Sequence, residues 1–329
     1  MKCLVTGAAG FIGSHLVEAL ITKGHSVVGF DNLSVGRYSN IAGFEDNPKF
    51  KFVHGDVRSK IQLENLDANF DYVFHLAALA DIVPSIENPS EYMDVNVLGT
   101  TNVLQFARRC KVKKFLYAAS SSCYGITNEI PTPENTRVSP EYPYALSKYL
   151  GELCTLHWCK VYNIPAISLR LFNVFGPRAR TSGTYGAVFG VFLAQKLANK
   201  PLTVVGDGTQ TRDFTFVTDV AEAFLVAAQS NVNSEVFNVG SGGTYSINHL
   251  VGLIGGPTIS IPKRPGEPNC TFADTSKIRE ILGWTPKTRF EQGVSKLLEQ
   301  LHYWKDAPVW EVESIQEATK TWFTYLGRD

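Results

Sequence analysis

Residues 2–16, KCLVTGAAGFIGSHL, run a short apolar segment straight into three glycines spaced three apart and on into a helical stretch. So tight a passage from strand to helix leaves few architectures open. Gly7 permits the turn, Gly10 lets the backbone come close to a phosphate, and Gly13 lets the helix pack closely on the strand. Unpaired N–H groups at the helix start, where Phe11 and Ile12 fall, suit an anion. By themselves the glycines, spaced G-x-x-G-x-x-G, mark only a tight turn, and the rest of the chain must say whether a dinucleotide belongs there.

The alternation continues to about residue 171. Runs rich in β-branched and aromatic residues, SVVGF, FKFVHGD, DYVFHLA, KFLYAAS and PAISLRL, are separated by helical stretches that include 11–23, 91–110 and 143–163. Strands alternating with helices predict an α/β fold, a doubly wound parallel sheet with helices on both faces. From about residue 175 the pattern loosens: FGPRARTSGTYG, GDGTQTRDF, GSGGTYS and IPKRPGEPN have the composition of turns and binding loops. The expected division is a nucleotide-binding unit over 1–174 and a smaller, loop-rich, mainly substrate-binding unit over 175–329, with room for segments to return to the first. Residues 290–326 read as helix, with Trp304, Trp310 and Trp322 as packing anchors.

Charge narrows the partners. Lys plus Arg equals Asp plus Glu at 31 each, so no global field draws the chain to nucleic acid or to an anionic membrane. The densest basic run, Arg108, Arg109, Lys111, Lys113 and Lys114, suits the end of a solvated helix better than a phosphate-contacting patch. Six cysteines, at 3, 110, 123, 154, 159 and 270, form no C-x-x-C pair and no zinc spacing with the histidines, so no metal is expected. A reduced, cytoplasmic protein is the simplest reading. The longest apolar stretch, GAVFGVFLA at 186–194, is far short of the ~20 residues a membrane span needs. Small molecules are the expected partners.

Context strengthens the glycine signal. Asp31 ends the second strand-like run, 18 residues after Gly13, where an acid can bond a ribose 2′-hydroxyl and repel an extra phosphate; this favours NAD over NADP. The alternative is that Asp31 caps the following turn, which begins at Asn32. Asp56 and Val57 follow the third run, and Leu76, Ala77, Ala78 and Ala80 end the fourth. Small residues after successive parallel strands leave room for a flat cofactor along the sheet edge.

YPYALSKYLGE, residues 142–152, sets two tyrosines ahead of a lysine. Residues i and i+4 share a helix face, so Tyr144 can meet Lys148, while Tyr142, ahead of Pro143, lies at or before the helix entry. A tyrosine titrates near ~10 and is a poor base at neutral pH. A lysine ammonium and a positively charged nicotinamide would lower that value; about 3 units, or ~4 kcal/mol, demands a partly desolvated pocket. Such a pair is also common on solvated helix faces. Ser120, Ser121 and Ser122 directly follow the fifth run, where a hydroxyl can relay a proton or simply form a turn.

TGAAGFIG, GDV, HLAA, NVLGT around Asn96, SSSCYG, Tyr144-x-x-x-Lys148, LRLFNVFGPR and RDFTFVTDV occur in this order. The set resembles the extended short-chain dehydrogenase/reductase family that modifies nucleotide sugars, over residues 2 to about 290. The resemblance implies a Rossmann-type fold and bound NAD. It implies that Ser120, Tyr144 and Lys148 match the catalytic trio, that Asn96 supports the cofactor site, and that Asn173, Arg212 and Arg264 face the substrate's nucleotide diphosphate. Arginine's planar fork suits phosphate, although Arg212 could instead pair with Asp213 or Asp219. Dimerisation through 91–110 and 143–163 is likewise implied.

Family dehydratases carry an Asp-Glu pair where this chain has Ser121 and Ser122, and family decarboxylases usually retain a glutamate at the place of Ser122. Neither serine can readily abstract a carbon-bound proton. Cys123 stands one place beyond the reactive cysteine of other members and reads as packing. The triple serine is most similar to the 4-epimerases, which oxidise C4 of the sugar and return hydride to its other face. A 4,6-dehydratase, a sugar-acid decarboxylase and a NAD-binding regulator without turnover are the alternatives. Sugar specificity is expected near 80–85 and 185–190, and UDP is taken from the commonest members.

Overall fold

In this computed structural model, which describes residues 1–179 and 186–327, the strands fall where the apolar runs predict them. They are β1 (Lys2–Thr6), β2 (Ser26–Asp31), β3 (Phe50–His54), β4 (Tyr72–His75), β5 (Lys114–Ser120) and β6 (Ala166–Leu171). Short strands β7 (Asn173–Phe175), β8 (Leu202–Val205), β9 (Thr211–Arg212) and β10 (Phe214–Phe216) follow, then β11 (Glu235–Val239), β12 (Tyr245–Ser246) and β13 (Thr258–Ile261). Seven of them form one all-parallel sheet in the order β11-β6-β5-β4-β1-β2-β3. Thus the sheet is finished by a strand from the loop-rich half.

The chain leaves β1 to one side for β2 and β3, then crosses back to place β4 against β1's other edge. Ligands bind at such a reversal, outside the carboxyl ends of the strands. Both faces of the sheet are covered. On one, helix α1 (Phe11–Thr22) buries Leu16, Val17 and Leu20 with Val220 and Phe224 of α8 (Val217–Gln229). On the other, α5 (Gly99–Cys110) buries Val103, Leu104 and Ala107 against Phe115 and Tyr117 of β5.

The intervening helices are α2 (Lys60–Glu64), α3 (Ile82–Glu87), α4 (Pro89–Met93), α6 (Pro143–Tyr162) and α7 (Val188–Leu197). The 91–110 stretch is helical as expected but passes through a π-turn at Asp94–Leu98 that carries Asn96. The basic run disperses into structural contacts: Lys114 bonds carbonyl groups at the end of α8, and Lys113 pairs with Asp71 at 2.8 Å.

Beyond α8 come α9 (Ile247–Ile254), α10 (Ser276–Leu282), α11 (Phe290–Glu299) and α12 (Val312–Leu326). Residues 290–326 are therefore not one helix. Pro308, which has no N–H to donate, lies in the irregular segment between α11 and α12. Pairs β7–β10, β8–β13 and β9–β12 flank an aromatic core around Phe175, with Phe189 stacked at 4.7 Å and Phe216 edge-on at 5.4 Å. Trp304 is packed here, as expected. Among the described residues no helix is long and apolar enough to cross a membrane.

One buried ion pair ties α6 to the sheet. Arg170 of β6 holds Glu152 with Nη2–Oε1 at 2.6 Å and Nε–Oε2 at 3.0 Å, Ser168 donates to the same carboxylate at 2.8 Å, and Arg170 also donates to the Tyr124 hydroxyl at 2.9 Å. Removing one partner leaves an uncompensated buried charge. Glu152→Ala is expected to cost about 3–5 kcal/mol in urea denaturation, and Glu152→Met combined with Arg170→Leu distinctly less.

Candidate active site

A cleft of about 920 Å³ runs along the carboxyl edge of the sheet. Its floor is the turn from β1 into α1. Gly7 sits at φ +71°, and a Cβ there would meet the backbone of Leu76 and Ala77 at 2.7–2.9 Å; a Cβ on Gly13 would strike the Gly7 carbonyl oxygen. Gly10 caps α1 without a side chain, so the first-turn N–H groups beside Phe11, Ile12 and Gly13 face the cleft these residues line.

Asp31, at the end of β2, accepts from the Ala9 N–H at 3.0 Å and the Leu33 N–H at 2.8 Å. It thus caps the turn and also holds the glycine loop, while each oxygen keeps acceptor capacity toward the cleft it lines. Burial raises its pKa above the ordinary carboxylate value. Asn32 donates to Asp56 at 2.9 Å, and the Arg58 guanidinium hydrogen-bonded to Asp56 holds that carboxyl down at about 2. Val57, Leu76, Ala77, Ala78 and Ala80 line the cleft; Asn96 does not. Asn96 is a brace behind it, bonded to the backbone of Leu79 in both directions at 2.9 Å and to Ser147 of α6 at 2.8 Å.

Helix α6 opens with Pro143 in its first turn and Tyr142 extended as its cap, so Tyr144 and Lys148 follow one turn apart. Tyr142 does share the wall: its ring stacks on Tyr144 at 6.2 Å and 12°, and Tyr92 meets Tyr144 edge-on at 6.4 Å. Ser120 ends β5 and caps a 3₁₀ turn, accepting from the Ser122 N–H at 3.2 Å and bonding the Ser122 hydroxyl at 2.8 Å. Turn and hydroxyl display are one structure. Burial pushes the Tyr144 phenol up, and hydrogen bonding with Ser120 and Ser122 opposes that rise.

Lys148 has lost most of its water. Burial brings its pKa down to about 7, against the opposing charge of Glu152 one turn on, and its ammonium stands 4.5 Å over the Tyr117 ring. The Tyr117 hydroxyl donates to the Lys148 carbonyl at 3.0 Å, fixing the backbone. His75, pinned between Thr6 at 2.7 Å and Thr100 at 2.9 Å, is pushed by burial down to about 3 and adds no charge below Lys148. Cys123 is buried with Tyr124, Phe172 and Ala273, and burial raises its thiol to about 12, where it is inert.

The far end is cationic. Asn173, Arg212 and Arg264 all line it. Arg212 pairs with neither Asp213, which accepts from the Ser241 and Ala273 N–H groups, nor Asp219, which accepts from the Thr288 N–H. It bridges to Glu267 at 3.2 Å, and Arg264 approaches the same carboxylate at 3.9 Å. Glu267, three residues after Arg264, escaped the sequence reading although its spacing offered a signal; Arg58, two after Asp56, did likewise. Trp310 and Trp322, read as packing anchors, line the cleft. Of the two segments assigned to specificity, 80–84 and 186–190 line it, whereas Tyr185 lies outside the described residues.

A family model for the NAD dependent epimerase/dehydratase family matches residues 3–240. A UDP-glucose 4-epimerase of Mycolicibacterium smegmatis is 37% identical over 308 residues, covering 91% of this chain and 98% of its own. UDP-glucuronic acid decarboxylase 4 of Arabidopsis thaliana is 34% identical, over 89% of this chain and 67% of its own. Among solved structures, the UDP-glucose 4-epimerase of Thermotoga maritima with UDP-glucose superposes at a TM-score of 0.86 with 32% identity, over 92% of this chain and 99% of its own. The close backbone packing that Gly7 and Gly13 allow at the start of α1, and the acid at Asp31 lining the same cleft, fit a dinucleotide with a free ribose hydroxyl.

Lys148 also carries a stability signature. Its folded pKa lies near 7 and its ordinary value is 10.5, so between these the unfolded chain binds more protons and stability rises with pH; below pH 7 the whole penalty is present. Lys148→Met is expected to raise the melting temperature of the cofactor-free protein at pH 7 by a margin that shrinks toward pH 10. A pH-independent margin in calorimetry would show that the ammonium is not desolvated.

Proposed function

Because this chain belongs to the NAD-dependent epimerase/dehydratase family, we propose that it is a UDP-sugar 4-epimerase, inverting C4 of a UDP-hexose or UDP-N-acetylhexosamine by way of a 4-keto sugar. The observation that carries this reading is the serine turn. The Tyr144 hydroxyl is hydrogen-bonded by Ser120 and Ser122, and among the described residues the carboxylate that acts on it, Asp81, does so through its charge and not by a hydrogen bond. Taking a proton from a sugar hydroxyl and giving it back needs a single acid–base group, and that is all that inversion at C4 requires. Elimination needs a second group to take a carbon-bound proton.

In this reading Tyr144 accepts the C4 hydroxyl proton, directly or through Ser120, and returns it after the keto sugar has turned over. The Lys148 charge favours the phenolate over the phenol. Bound NAD supplies the hydride acceptor and donor. Gly7, Gly10, Gly13 and Asp31 would hold it, together with Asn32, Asp56, Val57 and the alanines after β4, which line the same cleft. Asn173, Arg212 and Arg264 take the diphosphate, displacing Glu267 from the guanidinium groups. The UDP and the 4-epimerase activity follow the Mycolicibacterium smegmatis and Thermotoga maritima relatives. Leu98, Leu146 and Leu153 are exposed on the α5–α6 side, which supports a homodimer through these helices.

A second reading has its own support. Asp81 and Glu141 line the cleft, and either could serve as the extra acid or base of a dehydratase or decarboxylase, as the Arabidopsis thaliana relative allows.

Incubation with UDP-, GDP-, CDP- and dTDP-sugars, followed by NMR, is expected to yield a pair of C4 epimers from a UDP-sugar. A 4-keto-6-deoxy product or released carbon dioxide would instead select the second reading. Tyr144→Phe is expected to lower turnover by about 10²–10⁴-fold with the NAD content unchanged, and normal turnover would remove Tyr144 from the mechanism. Light scattering is expected to give twice the 36.3 kDa chain mass; a monomer would refute the dimer.

A further inference from the structure

The segment that presents Arg264 has no regular structure of its own. Between β13, which ends at Ile261, and α10, which starts at Ser276, the only regular pairing among the described residues is two isolated bridges, at Cys270 and Ala273, beyond the residues around Arg264, and Gly266 sits at φ +70°. Yet Arg264, Gly266, Glu267 and Pro268 all line the cleft. Their position must be imposed from outside the loop.

We propose that Trp322, on the C-terminal helix α12, is a positioning residue for diphosphate recognition, seating the loop that carries Arg264. Its indole N–H donates to the Pro265 carbonyl at 2.7 Å, and the Arg264 guanidinium lies 5.4 Å from the centre of its ring. One side chain therefore grips the loop twice, by its donor and by its π face. Leu326, one turn on, stands 3.8 Å from where a Cβ on Gly266 would lie.

The indole can do this because α12 is itself held at several points. Ile315 is buried in the aromatic core and Thr319 is buried too. Thr321 donates to Glu87 of α3 at 3.0 Å, and Ile82, Val83 and Pro84 of that helix form the cleft's other lip. Helix α12 thus spans from the lip after β4 to the arginine loop, which it meets through Trp322, only 5% exposed, and Leu326. A planar guanidinium delivers its directed donors to phosphate only when its plane is fixed, and the indole face fixes it.

The inference rests on reading the cationic end as a diphosphate site, and the test separates the two. Calorimetric titration of the wild type, Trp322→Phe and Trp322→Leu with UDP and with uridine is the measurement. Trp322→Phe keeps a ring face and loses the donor, so its UDP affinity is expected to fall about three- to tenfold. Trp322→Leu loses both and falls further. Uridine affinity, bound NAD and kcat stay at wild-type values, while KM for the nucleotide sugar rises with the UDP dissociation constant. Unchanged UDP affinity in the variants, or equal losses for UDP, uridine and NAD, would overturn the proposal. Should Trp322→Leu not fold, Trp322→Phe decides on the same criterion. A wild type that does not bind UDP would overturn the diphosphate reading itself.

Discussion

The cleft exists because α1 begins almost in contact with the ends of β1 and β4. Gly7 and Gly13 allow that approach: the Gly7 turn lies against the backbone at 76–77, and Gly13 against the Gly7 carbonyl. Ala9, between them, is held by three partners. Asp31 takes its N–H, and the Arg37 N–H and Asn40 side chain take its carbonyl at 3.0 and 2.9 Å. Through Tyr303, which reaches Asn40 at 3.2 Å, the C-terminal half is tied to the same turn. One close backbone approach thus sets the helix dipole, the acid after β2 and the far half of the protein relative to each other.

The second organising feature is a charged stripe down α6. Tyr144, Lys148 and Glu152 recur every fourth residue, so all three present to one side. The geometry separates their environments. Glu152 is neutralised by Arg170 inside the protein, Lys148 rests over an aromatic face at the cleft wall, and Tyr144 reaches the serine turn. Burial acts on both active groups in the direction that suppresses charge, raising Tyr144 and bringing Lys148 near 7. A further cation beside the phenol is what such a pair requires to work as a base, which is the role the sequence reading gives to a positively charged nicotinamide.

Much of this was legible in the chain because it is local. Short continuous runs of β-branched and aromatic residues between helical stretches specify parallel strands buried on both faces, and the strands of the first half lie where those runs predict. The separation of Tyr142 from Tyr144 follows from Pro143 and helix geometry, although the sequence did not show that the Tyr142 ring stacks back on its neighbour. Asn96 was placed at the cofactor site, but its contacts run to Leu79 and Ser147, 17 and 51 residues away. The partner of Arg212 was sought among adjacent aspartates, and folding supplies Glu267, 55 residues on. The stretch read as helix over 290–326 is interrupted between Glu299 and Val312, where a 3₁₀ turn at Leu301–Trp304 and Pro308 intervene.

Glycine spacing, the strand–helix alternation, the acid after the second strand, and Tyr144 four residues before Lys148 were already written in the order of residues, because each depends on neighbours within a turn or a strand. The tertiary arrangement alone brought Glu267 between two arginines, set a buried ion pair behind Lys148, and turned Trp322 from a packing residue into a wall of the cleft. Those outcomes depend on which segments meet after burial of the sheet and the aromatic core. No local periodicity records that meeting, since the residues concerned lie tens of positions apart and acquire their electrostatics only when water is excluded between them.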